Sequence, residues 1–321
     1  MPLSLPRPLH GLIVPPHSPF HADGTLNLHI VEKQAERLLR DQVTAAFVCG
    51  STGECASLTV PERMALVERW IEVAAGTALQ VVVHVGGNCI DDARHLATHA
   101  EGKGAAAIAA LAPSYFKPRS LEMLTQCSAR IAEAAPQTPF YYYDIPTLTG
   151  VQFSMAQFLD LAYERIPTLA GIKFTNLDLS TYQFCLRAHD GIWDLPWGMD
   201  QHFLGALANG ARGAVGGSYN YSAPIFNRML EAFAAGELSV ARDYQFQGTQ
   251  VLTVMHRYGA LAAAKVTMKH LGIDVGPVRL PNEMLPASQQ TSLLRELEQL
   301  GFFAWIKAGS QQSPHSAPAR A

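Results

Sequence analysis

The sequence predicts a (β/α)8 barrel with a C-terminal helical extension. Three observations predict it. Strand-length apolar runs recur eight times, stretches of helical length separate them, and the runs are largely continuous rather than alternating. Strands alternating with helices build βαβ units with parallel strands. Continuous apolar runs suit strands covered on both faces. Eight units in about 220 residues fit a closed barrel. A doubly wound open sheet is the alternative, but no GxGxxG follows the first run.

The runs fall in order at 12–14, 45–49, 79–85, 105–112, 139–145, 169–174, 195–199 and 213–217. Helical stretches lie between them at 30–41, 60–75, 121–134 and 155–164. The second of these has a start signal: Thr59, then Pro61 in the first turn and Glu62 beside it. After Gly217 the pattern turns helical, with Ala- and Leu-rich stretches at 225–235, 238–271 and 288–300. The expected organisation is a barrel over 1–222, a helical domain over 223–308 packed on it, and a disordered tail of Ser, Gln, Pro and Ala over 309–321.

Composition narrows the function classes. The chain has 321 residues, 48% of them hydrophobic, which is ample for a buried core. Its net charge is −3 with 16% charged residues and no basic stripe, which argues against a nucleic-acid partner. The five cysteines are odd in number and lack CxxC spacing, so a disulfide framework or structural zinc is not expected. They read as buried free thiols in a reducing compartment. Met1–His10 carries three prolines and no apolar core, unlike a signal peptide. No stretch of 18 uninterrupted apolar residues marks a membrane span. A cytoplasmic location follows as the expectation.

Barrels of this kind place their chemistry at the C-terminal ends of strands. The second run ends in Gly50-Ser51-Thr52-Gly53-Glu54, where backbone N–H and side-chain O–H groups can face an anion. The same residues also make a plain tight turn. The fifth ends in Tyr141-Tyr142-Tyr143-Asp144, and alternation sends Tyr142 to the face opposite its neighbours. Any single one of these tyrosines also reads as ordinary aromatic core. The sixth carries Lys173 near its end. Burying an ammonium is costly, and burial lowers a lysine pKa until the amine is nucleophilic. That is the state Schiff-base chemistry with a carbonyl substrate needs. The alternative is a lysine reaching from the strand end to solvent. The seventh run ends in Gly198-Met199-Asp200-Gln201 and the eighth in Gly216-Gly217-Ser218-Tyr219-Asn220, both polar. No two of the twelve histidines have HxH spacing, and His84 reads as a core histidine. No metal or cofactor is expected, since an iminium can itself act as the electron sink.

GSTGE at 50–54, YDIPTLTG at 143–150, GIKFT at 171–175 and GGSYN at 216–220 resemble the N-acetylneuraminate lyase and dihydrodipicolinate synthase superfamily. The likeness runs in register from about residue 10 to residue 306. It implies a (β/α)8 barrel with a C-terminal helical domain, assembled as a homotetramer. The synthase branch typically has an arginine where this chain has Leu148, so the lyase branch is the one resembled. The implied reaction is reversible cleavage of a 2-keto-3-deoxy sugar acid, foremost N-acetylneuraminate, to pyruvate and N-acetylmannosamine. Carried over residue by residue, Lys173 forms the imine and Tyr143 shuttles the proton. Ser51 and Thr52 hold the keto-acid carboxylate. Thr175, Gly198, Asp200, Gln201 and Gly217 fall at the sugar-contacting positions. Tyr115 falls where some members lend a tyrosine to a neighbouring subunit's site. Two positions depart from the lyase pattern: Gln201 replaces a glutamate and Gly217 a serine. A related lyase or dehydratase acting on another keto acid, and a non-catalytic keto-acid-binding barrel, are the alternatives.

Overall fold

The computed structural model describes residues 7–309. Seven strands lie in one parallel sheet: β1 (Gly11–Val14), β2 (Ala45–Val48), β3 (Gln80–His84), β4 (Ala107–Leu111), β5 (Phe140–Asp144), β6 (Leu169–Phe174) and β7 (Gly213–Val215). Their order is β6-β5-β4-β3-β2-β1-β7. Residues 194–197 fill the gap between β6 and β7 through the bridges Gly171↔Asp194, Phe174↔Trp197 and Trp197↔Ala214, and so close the barrel. The seventh run, expected as a strand over 195–199, is therefore only a bridged segment. Pro196 has no N–H to donate to the ladder. Its carbonyl still accepts from the Phe174 N–H at 2.9 Å. The eighth strand stops at Val215, because Gly216 and Gly217 lead directly into the helix Tyr219–Ala234.

Alternation along the strands separates two apolar layers. Ile13, Ala45, Phe47, Val82, Ala107, Ala109, Tyr141 and Tyr143 fill the barrel interior. Leu12, Val14, Ala46, Val48, Val81, Val83, Ile108 and Tyr142 face the helices instead. Tyr142 packs there on Phe158, with ring centroids 4.7 Å apart, as alternation requires.

The helix Val60–Ala74 begins with a capping box between Thr59 and Glu62, with a proline in its first turn. Helices at Ile90–Lys103, Leu179–Arg187 and Phe203–Ala208 complete the outer ring and were not marked by the apolar pattern. The 238–271 stretch divides into Leu238–Arg257 and Ala260–His270. With Ala287–Leu300 these two share a second apolar cluster that includes Val251, Met255, Ala263, Leu293 and Leu297. Tyr219–Ala234 contributes to both clusters, through Phe226 to the first and Ile225 to the second. Of the tail expected over 309–321, all but Gly309 lies outside the described residues. No helix among the described residues is long and apolar enough to cross a membrane. All five cysteines are free, but only Cys49 and Cys185 are fully buried, and Cys89 is exposed at the start of Ile90–Lys103.

Candidate active site

Parallel pairing of β5 with β6 sets Tyr143 opposite Lys173. The lysine is 4% exposed. Its Nζ lies 3.7 Å from the centroid of the Tyr143 ring and 4.1 Å from that of Phe47. Burial draws the amine down to about 7, with the neighbouring Cys55 and Asp200 holding it up. At neutral pH a large fraction of Lys173 is therefore an uncharged nucleophile. The aromatic faces exclude water, and β6 fixes the direction of the side chain.

Burial pushes the Tyr143 phenol up to about 12, with the Ser51 and Thr175 hydroxyls opposing. Ser51 Oγ stands 3.4 Å from the phenol oxygen. Thr175 Oγ1 is buried near the phenol without a hydrogen bond of ordinary geometry. Both hydroxyls come from strand ends.

Ser51 and Thr52 sit on the turn after β2, closed by the Glu54 N–H to the Ser51 carbonyl at 3.0 Å. Thr175 packs against Gly198: a Cβ at 198 would stand 1.9 Å from Thr175 Oγ1, so only glycine fits. Asp200 Oδ2 accepts from the Ser218 N–H at 3.0 Å, which ties the loop after 194–197 to the loop after β7. Gln201 follows in the same short helical turn, Asp200–His202. At Gly217 a Cβ would stand 3.3 Å from Thr52 Oγ1. The missing side chain thus faces the Ser51-Thr52 turn, and even a Cβ there would require Thr52 to give by a few tenths of an ångström.

Lys173, Tyr143, Ser51 and Thr175 converge within one chain. Tyr115 does not join them. It is 79% exposed and packs edge-to-face on Phe116, with centroids 5.0 Å apart. Asn88 Oδ1 fixes its backbone by accepting from the N–H groups of Ser114 and Tyr115. Leu148 is 63% exposed at the barrel rim.

Three residues at the site were not singled out for it. Phe47 forms one wall around the amine, and its inward position follows from alternation with Ala45. Cys55 lies beside Lys173 electrostatically. His84 is buried, as a core histidine should be, but its ring stands edge-on to Tyr143 at 5.7 Å. A cavity of about 610 Å³ is lined by Ser51, Cys55, His84 and Asn88 among others, and approaches Tyr143 at Ser51. Among the described residues no three His, Cys, Asp or Glu side chains are grouped to hold a metal ion.

Residues 8–300 match the dihydrodipicolinate synthetase family. The chain is 39% identical to N-acetylneuraminate lyase of Gallus gallus over 279 residues, 86% of this chain and 91% of that protein. It superposes on the native N-acetylneuraminate lyase (sialic acid aldolase) of Aliivibrio salmonicida with a TM-score of 0.89 and 39% identity, covering 92% of this chain and 98% of that one. A catalytic lysine mutant of Ruminococcus gnavus sialic acid aldolase superposes with a TM-score of 0.87 and 28% identity, covering 93% of this chain and 97% of that one.

Proposed function

The chain belongs to the dihydrodipicolinate synthetase family, and we propose that it is a carbon–carbon lyase of the Schiff-base type, cleaving N-acetylneuraminate reversibly to pyruvate and N-acetylmannosamine. The observation that carries this reading is the buried Lys173 amine, drawn to about 7 and enclosed by Tyr143 and Phe47. Relatives named N-acetylneuraminate lyase and a sialic acid aldolase with a catalytic lysine support it.

In this reading the neutral Nζ of Lys173 attacks the C2 ketone, and the carbinolamine takes up a proton and loses water to leave an iminium. Ser51 and Thr52 hold the carboxylate, so that amine and ketone meet in a productive geometry. A phenol at about 12 is protonated at neutral pH. Tyr143 therefore accepts the C4 hydroxyl proton while handing its own onward, by relay through Ser51 or the substrate carboxylate. The C3–C4 bond electrons pass into the iminium and the aldehyde sugar departs. The enamine takes a proton at C3, and water releases pyruvate and the free lysine. Incubation with N-acetylneuraminate should yield pyruvate and N-acetylmannosamine in equal amounts. If 2-keto-3-deoxygluconate is cleaved and N-acetylneuraminate is not, the named substrate is wrong.

That second reading, another 2-keto-3-deoxy acid, is favoured by Gln201 and Gly217. A glutamine meets a sugar hydroxyl without the charge assistance of a carboxylate, and a glycine offers no side-chain hydrogen bond. Gln201→Glu should raise kcat/KM for N-acetylneuraminate by about 5-fold, the equivalent of ~1 kcal/mol. An unchanged ratio of the two substrates' kcat/KM values would remove Gln201 from the sugar site.

The pH dependence follows from the two titrating groups. Lys173 must be neutral and Tyr143 protonated, so cleavage should rise as pH passes about 7 and hold a plateau toward about 12. A profile already flat from pH 5 upward would show that the amine titrates elsewhere.

We also read the protein as cytoplasmic and homotetrameric, with 223–308 a helical domain packed on a barrel of 1–222. Tyr115, exposed on this chain, reads as a residue offered to a neighbouring subunit. Sedimentation of the purified protein tests the assembly, with a tetramer's mass expected.

A further inference from the structure

The turn bearing Ser51 and Thr52 is held from behind. The residues at its two ends, Cys49 and Glu54, are non-glycines with φ of 58° and 56°. L side chains rarely adopt this conformation, and it persists where the surroundings over-determine it. At Cys49 the constraint is His84, whose Nδ1 donates to the Cys49 carbonyl at 2.9 Å. At Glu54 it is an ion pair. Glu54 Oε1 lies 2.7 Å from Lys265 Nζ, and neither side chain is more than 1% exposed. Glu54 Oε2 accepts from the backbone N–H of Arg279 at 2.8 Å, 225 positions along the chain.

Lys265 belongs to the helix Ala260–His270, outside the barrel. Its ammonium also donates to the carbonyls of Ser18 at 3.1 Å and Pro277 at 2.7 Å. Ser18 Oγ in turn donates to the Gly53 carbonyl at 2.6 Å. One buried cation therefore fixes the turn twice, at Glu54 directly and at Gly53 through Ser18. Apolar residues of equal volume would fill the same space, since a buried ion pair is weak evidence for stability. They would not dictate the turn's orientation.

We propose that the Glu54–Lys265 ion pair is a positioning device: it aims the Ser51 and Thr52 hydroxyls at the keto-acid carboxylate, so that the C-terminal helices set the affinity for the keto acid. This rests on the reading of Lys173 as the imine-forming residue. Neither Glu54 nor Lys265 meets the reacting atoms; both act through the turn.

The test compares the wild type with the double variant E54Q/K265M, which removes both charges and strands neither. Borohydride trapping is followed across a pyruvate titration. The half-saturating pyruvate concentration should rise about 10-fold or more, while the trapping rate at saturation falls less than about 3-fold. A merely structural lesion lowers the amplitude through the folded fraction and leaves half-saturation in place. A folded double variant with wild-type half-saturation overturns the proposal. Should circular dichroism show the double variant unfolded, Glu54→Gln alone takes its place, since it removes the carboxylate's charge from the pair and keeps an acceptor for the Arg279 N–H. About a 3-fold rise is then expected, and an unchanged value overturns the proposal. A wild type that forms no pyruvate adduct overturns the imine reading itself, which keeps the two failures apart.

Discussion

Lys173→Met is expected to abolish pyruvate adduct formation and to lower aldol cleavage by about four orders of magnitude or more, the scale seen when a nucleophile is removed. Methionine matches the lysine stem in length and suits the apolar wall of Phe47 and Tyr143. The same substitution should stabilise the fold. Burial draws Lys173 down to about 7 in the folded chain from the ordinary lysine value of 10.5. Between these values the unfolded chain binds the proton and the folded chain does not, so wild-type stability rises with pH across that window. Below about pH 7 folding carries the full burial penalty of the ammonium, about 5 kcal/mol from a shift of this size. Lys173→Met should therefore melt several degrees above wild type at pH 6, with the gap closing toward pH 10.5. A variant that melts lower at both pH values would show that the amine is comfortably paired rather than held at a cost. Function placed on a destabilising residue is a recurrent trade in enzymes.

Tyr143→Phe should lower kcat by about 10²- to 10⁴-fold, the usual range for a positioned acid–base group. The ring against Lys173 is kept, so the amine should remain near 7 and the imine should still form. The expected signature is an enzyme that traps pyruvate with borohydride at close to the wild-type level yet cleaves substrate very slowly. Ser51→Ala would remove the hydroxyl 3.4 Å from the phenol. It should impair both steps, since Ser51 also faces the carboxylate in this reading. If Tyr143→Phe instead lost adduct formation and kept the cleavage rate of whatever imine formed, the proton would move by another route.

Much of the barrel is legible in the sequence because strands buried on both faces read as unbroken apolar runs. The strands β2 to β6 fall inside the expected ranges for that reason, and β1 begins one residue before its own, at Gly11. The seventh run fails because an apolar run says nothing about hydrogen-bond donors, and Pro196 lacks one. The helices Ile90–Lys103 and Leu179–Arg187 escaped notice because charged and polar residues interrupt their apolar positions, while only a few of their residues are buried. At the site, alternation along β5 foretells which tyrosines point inward. The meeting of Tyr143 with Lys173 is a matter of register between neighbouring strands. That register follows from the closed sheet as a whole, and so the sequence motifs alone do not disclose it. The Glu54–Lys265 pair is less legible still. Nothing in the GSTGE turn shows that Glu54 has a partner until the helix Ala260–His270 brings Lys265 against it.

Reduction with borohydride in the presence of pyruvate, followed by peptide mass mapping, tests the central claim most directly. A single pyruvate-derived adduct is expected on the peptide bearing Lys173, absent from Lys173→Met and more abundant above pH 7 than at pH 5. No adduct, or an adduct confined to another lysine such as Lys265, would contradict it.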